Sequence, residues 1–136
     1  MDKLQSFSVL MTLVLTCLTF PPAWSQTAST ETNPSDWTGT WIADGTLFSI
    51  AVTVTDNEFK VDEVQSLGFV WSAKLGSVEG NRATIEVTYL GATALIAAEL
   101  TGDGTAIAYA ATCLPAFMVV CALAKDRQAA FTRIEN

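Results

Sequence analysis

The chain contains no histidine. That removes Ser-His-Asp and Cys-His nucleophile arrangements and leaves a metal site poorly supplied with donors. Bases are scarce too, with 7 Lys and Arg against 14 Asp and Glu and a net charge of −7. An acidic surface is repelled by phosphates, so nucleic acid is not an expected partner. No glycine-rich phosphate loop is present; Gly102-Asp103-Gly104 reads as a hairpin turn. No internal repeat and no helical periodicity stand out. The carboxylates do not form an acid/base pair. Asp62 and Glu63 are adjacent, so on a strand they point to opposite faces. Glu86 and Glu99 lie mid-strand and read as solvent-facing, with a polar anchor inside a lumen as the alternative. No catalytic constellation assembles, so neither an enzyme nor a cofactor is expected.

Only one long apolar run occurs, Val9 to Phe20, behind Met1-Asp2-Lys3 and before Ala23-Trp24-Ser25. It is shorter than the roughly 20 residues of a membrane span, and small residues stand at the −3 and −1 positions of a cleavage site. Residues 1–25 therefore read as a signal peptide, and the protein as periplasmic or secreted rather than membrane-spanning. Of the three cysteines, Cys17 falls in that segment. Cys113 and Cys121 remain as an even pair in an exported chain, which reads as a disulfide between neighbouring strands. Residues 26–36, rich in Thr, Ser, Asn and Pro, read as a disordered linker.

What is present from residue 37 onward is β pattern. Short β-branched runs alternate with turn residues such as Asp44-Gly45, Asp56-Asn57, Gly80-Asn81 and Gly91. Ile85, Val87 and Tyr89 share one strand face; Thr84, Glu86 and Thr88 share the other. The runs are Thr38–Ala43, Leu47–Thr55, Glu58–Val64, Gly68–Val78, Arg82–Leu90, Ala94–Thr101, Thr105–Cys113, Val119–Lys125 and Gln128–Glu135. The expected fold is all-β, a single antiparallel up-and-down barrel of about eight or nine short strands over residues 37–136.

Within it, Gly39-Thr40-Trp41 opens the first strand and Arg133 stands near the end of the last. This placement resembles the small calycin barrels: lipocalins, fatty-acid-binding proteins and avidins. The resemblance implies that the arginine packs over the tryptophan, seals one barrel end and ties first strand to last. Length and export are most similar to the avidin branch. Avidins, however, surround biotin with tryptophans from later strands, and here none follows Trp71.

Candidate binding residues follow from that architecture. Trp41, Phe69 and Trp71 are the large aromatics of the early strands, able to line a pocket or to fill a core. Tyr109 and Ile107 are placed in the lumen, backed by Ala106, Ala108 and Ala110. That small apolar second face suggests either a self-association surface, hence a homo-oligomer, or a wall of small residues that leaves room inside. Leu114–Val120 is an apolar connection between the cysteines, with Phe117 and Met118 as an exposed lip at a ligand mouth or partner site. The expected function is binding of a small apolar or amphipathic molecule. The alternative is a protein-interaction module, an inhibitor or envelope-assembly factor that uses an exposed loop. An open lumen favours the first, a filled one the second.

Overall fold

The computed structural model describes residues 32–134. The signal-peptide reading, Cys17 and residues 26–31 of the linker lie outside the described residues. The strands are β1 (Gly39–Ala43), β2 (Ser49–Thr55), β3 (Glu58–Gln65), β4 (Trp71–Ala73), β5 (Gly76–Glu79), β6 (Arg82–Tyr89), β7 (Ala92–Gly102), β8 (Thr105–Leu114) and β9 (Gln128–Ile134), with one helix, α1 (Val119–Ala124), before β9. All pairings are antiparallel. Eight strands close a ring in meander order, β9 returning to β1, and β4 is an extra strand on β6.

Alternation sets which face of each strand turns inward. Ile85 and Val87 of β6 meet Ile96 and Ala94 of β7 in register, and Ile96 meets Ala110 of β8. Glu86 and Glu99 point outward and pair with Lys74 and Arg82. The outer wall also carries Lys60 and Asp62, paired at 2.9 Å. Among the described residues no helix is long and apolar enough to cross a membrane.

The barrel is filled at one end. Trp37, Trp41, Val52, Phe59, Val78, Ala83, Ile85 and Ala106 form the buried cluster. A 3-10 turn, Pro34–Trp37, swings Trp37 under this floor. Asn33 and Asp36 cap the turn reciprocally, so residues 34–36, read as linker, are built into the domain. The Trp37 indole donates to Gly80 O at 3.3 Å, and the Trp41 indole donates to Trp37 O at 2.8 Å.

Arg133 completes the floor as the resemblance implied. It pairs with Trp41 in register across β1 and β9, and its guanidinium lies 5.8 Å from the indole centroid. It donates to Asp36 O at 2.6 Å and to the Asp103 carboxylate at 3.2 Å. Gly39 makes room for it: a Cβ there would stand 2.9 Å from Arg133 Cδ, and its φ of +146° is one that L side chains rarely adopt.

Two runs depart from the sequence reading. Gly68–Val78, read as one strand, is split into β4 and β5, with Lys74 and Leu75 between. At Gly76 the backbones crowd so closely that a Cβ would overlap Thr84 O. Val119–Lys125, read as a strand, contains α1. The run pairs with no strand: β9, not this segment, takes the β8 edge, over Thr105–Tyr109. It closes its own hydrogen bonds instead, Ala122 N to Met118 O at 3.0 Å and Lys125 N to Cys121 O at 3.1 Å. The disulfide is present, and Cys113–Cys121 joins β8 to α1 rather than to a neighbouring strand.

Candidate functional site: an apolar lumen open at one end

Above the floor the barrel is hollow. A cavity of about 640 Å³ runs from Trp37, Trp41 and Phe59 up to the opposite end. Its wall is apolar on every side: Ile50 and Val52 from β2, Val61 from β3, Ile85 and Val87 from β6, Ile96 from β7. The far wall is made of small residues. Ala106, Ala108 and Ala110 of β8 line it, with Ala98 of β7 and Ala129 of β9 beside Ala108 in register.

This arrangement corrects one expectation. Ala106 pairs with Leu100 and Phe131, both packed on the buried cluster, so the alanine face of β8 is the inner one. The surface invoked for self-association is therefore the lumen wall. Ile107 and Tyr109 alternate with these alanines and meet Glu99 and Ala97 of the outer face. They border the cavity, but Tyr109 is 39% exposed and its side chain does not fill the centre. The other alternative, a wall of small residues that leaves room inside, is the one the register shows.

Aromatic pairs frame the open end. Phe48 and Trp71 are tilted with centroids 6.2 Å apart, and Phe69 meets Tyr89 edge-on at 5.7 Å. All four line the cavity, so Trp41, Phe69 and Trp71 are brought together with it, Trp41 at the floor and the other two at the mouth. Phe48 and Tyr89 were not singled out from the sequence, although Tyr89 continues the inward face of Ile85 and Val87. Leu123 and Ala124 of α1 and the following Arg127 complete the rim. Phe117 and Met118 do not line the cavity: Phe117 is 85% exposed, and Met118 is half-buried near the Gly91 turn.

Polar groups are few and lie near the mouth. The Trp71 indole nitrogen is shut from solvent and has no hydrogen-bond partner among the described residues. Such an orphan donor costs about 1–3 kcal/mol. Arg127 and Gln128 border the cavity on the α1–β9 side.

The wall has a seam. β3 meets β5 only through Glu58↔Ser77 and Phe59↔Gly76, and β4 pairs with β6 alone. Above Phe59, β3 thus has β2 on one side and no strand partner on the other.

Fold and site together define a closed antiparallel eight-stranded barrel with an apolar lumen, one end sealed and one end open. Compared with protein-family models, curated proteins and solved structures, the chain matches none of them.

Proposed function

We propose that this protein is a calycin-like barrel of the avidin or lipocalin type that acts outside the cytoplasm, in the periplasm or as a secreted protein, as a non-enzymatic carrier or receptor of a small amphipathic molecule. The observation that carries this reading is the hollow lumen. Small ligand sites of about 300–1,000 Å³ with apolar walls and a few polar groups are typical, and the cavity of about 640 Å³ fits that description. The amphipathic character follows from the distribution of polarity. An apolar body suits the floor and the alanine wall, and a polar end suits the mouth, where Trp71, Arg127 and Gln128 stand. A ligand acceptor that reaches the Trp71 N–H would relieve its missing hydrogen bond. The Cys113–Cys121 bridge supports the extracytoplasmic assignment.

The test is titration with an apolar fluorophore, N-phenyl naphthylamine, against the protein and an Ala108→Phe variant. In a filled core such a change costs about 1–3 kcal/mol by overpacking. In an open lumen it occupies space that is already there. We expect saturable binding that the variant abolishes with its melting temperature unchanged or raised. Absence of saturable binding in the parent protein, or undiminished binding in the variant, overturns the reading.

A further inference from the structure

Of the fourteen exposed large apolar side chains among the described residues, nine gather in the connections of one end, while Val64, Leu95, Tyr109 and Ile134 lie on strands and Leu75 between β4 and β5. Leu47 lies in the β1–β2 connection; Leu67, Phe69 and Val70 lie between β3 and β4; Leu90 is in the β6–β7 turn. Leu114, Phe117, Val119 and Leu123 lie at the end of β8 and along α1. These four connections are all those of the open end. Val70 is 86% and Phe117 85% exposed. The closed-end turns are Asp56-Asn57, Gly80-Asn81 and Asp103-Gly104, without one large apolar side chain. Single exposed apolar residues are ordinary, but a ring of them at one end marks a contact surface.

The backbone gives a second, independent sign. Leu67 and Leu90 have φ of 55° and 50°. The left-handed region disfavours leucine and suits glycine or asparagine. Leu90-Gly91 is a two-residue hairpin turn with positive φ at both positions, for which Asn-Gly is the favoured pair. At the closed end the positive-φ turn positions are Asp56, Gly80 and Gly104. Leucine at the open-end positions thus works against the fold while its side chain points into solvent.

Charge gives a third. Among the described residues, Lys60, Lys74, Arg82 and Arg133 each pair with a carboxylate; Lys125 and Arg127, which flank Asp126 directly after α1, do not. Both therefore stand beside the apolar ring.

We propose that the open end docks on a lipid surface, with the loop tips of the four connections set among the acyl chains and Lys125 and Arg127 at the level of the phosphates. A protein partner would need a packed, desolvated centre to the contact, and here the centre is the cavity mouth. A bilayer needs no such centre, since each tip inserts by itself. Docked this way, the lumen opens onto hydrocarbon, and an apolar ligand passes between bilayer and barrel without crossing water. Docking itself is independent of which molecule fills the lumen.

The test is sedimentation of the purified protein with phosphatidylcholine vesicles, with and without phosphatidylglycerol. Two double variants are compared, Val70→Ser with Phe117→Ser, and Leu67→Asn with Leu90→Asn. Glu79→Gln, at the closed end, is the control. We expect the parent protein and the control to pellet with vesicles and both double variants to lose about tenfold or more in partitioning. The asparagine pair should melt at the same temperature or higher, which separates a lipid-contact role from a structural one. Lys125→Glu should weaken binding to the phosphatidylglycerol vesicles more than to phosphatidylcholine alone. A parent protein that stays in the supernatant with both vesicles overturns the proposal, and so do double variants that pellet like it. Dimerisation through the same residues without vesicle binding, seen by sedimentation equilibrium, assigns the ring to a second copy and likewise overturns it. A parent protein that binds vesicles but not N-phenyl naphthylamine would uphold docking while rejecting the lumen as a site.

Discussion

Gly39 and Arg133 show how one side chain's absence makes room for another. The guanidinium reaches the Trp41 face, Asp36 O and Asp103 only because Gly39 has no Cβ in its path. Alanine at position 39 meets both a close contact and an unfavourable φ, so Gly39→Ala is expected to destabilise by about 1–3 kcal/mol. Urea denaturation would show this as a lower midpoint at unchanged m-value. Trp41 is 2% exposed, and Trp41→Ala should cost about 3–5 kcal/mol by opening a void in the floor. Phe117 is the contrast. At 85% exposure, Phe117→Ser should change stability by no more than about 0.5 kcal/mol. A marked fall in the melting temperature of that variant would show that Phe117 packs on the barrel in solution.

At the scale of the element, α1 is held by its disulfide more than by its six residues. A helix this short has little stability of its own in water. The bridge spans a sequence separation of 8, and on chain-entropy grounds closing so short a loop contributes about 2–3 kcal/mol. Reduction should therefore lower the melting temperature and loosen the rim that Leu123 and Ala124 provide. Faster amide exchange at Ala122 and Lys125 after reduction, with little change on β6 and β7, is the expected pattern. The seam makes a parallel prediction. Amides of β3 beyond Phe59 that point away from β2 lack a strand acceptor and should exchange faster than those of β7, which is paired on both sides. Equal protection would mean that the seam closes in solution.

Across the whole molecule, what could be read in the sequence is what period two writes down. Ile85, Val87 and Tyr89 against Thr84, Glu86 and Thr88 gave β6 and its inward face, and the turn residues separated most of the strands. Gly39, Trp41 and Arg133 gave the sealed end through the resemblance they carry, and the stacking contact is present. Three things were not legible. The break at Gly76 depends on how closely the backbone of β6 at Thr84 approaches across the β5–β6 hairpin, a distance that residue types do not record. The helix at Val119–Ala124 sits in an apolar run that suits a strand as well as a helix, and only the assembled ring shows that β9 rather than this run pairs with β8. The inner face of β8 was ambiguous because alternation shows two faces without saying which encloses space. Alanine opposite isoleucine reads as a core beneath a thin surface until the register puts Ala108 beside Ala98 and Ala129.

The pairing of β1 with β9 has a consequence for how the chain comes to be folded. Trp41 and Arg133 are neighbours across a ladder but lie at opposite ends of the domain's sequence. Every other junction of the ring except β3–β5 and β8–β9 can form as a local hairpin; this one has to bring together segments separated by nearly the whole domain, with the slow search that distant contacts impose. Until β9 arrives, β1 and β8 are bare edges, each able to recruit a strand from another molecule. A nascent or truncated chain ending before Gln128 is therefore an open ribbon with an apolar inner face and two adhesive borders. The last seven residues of the ring turn a sheet with two bare edges into a closed barrel.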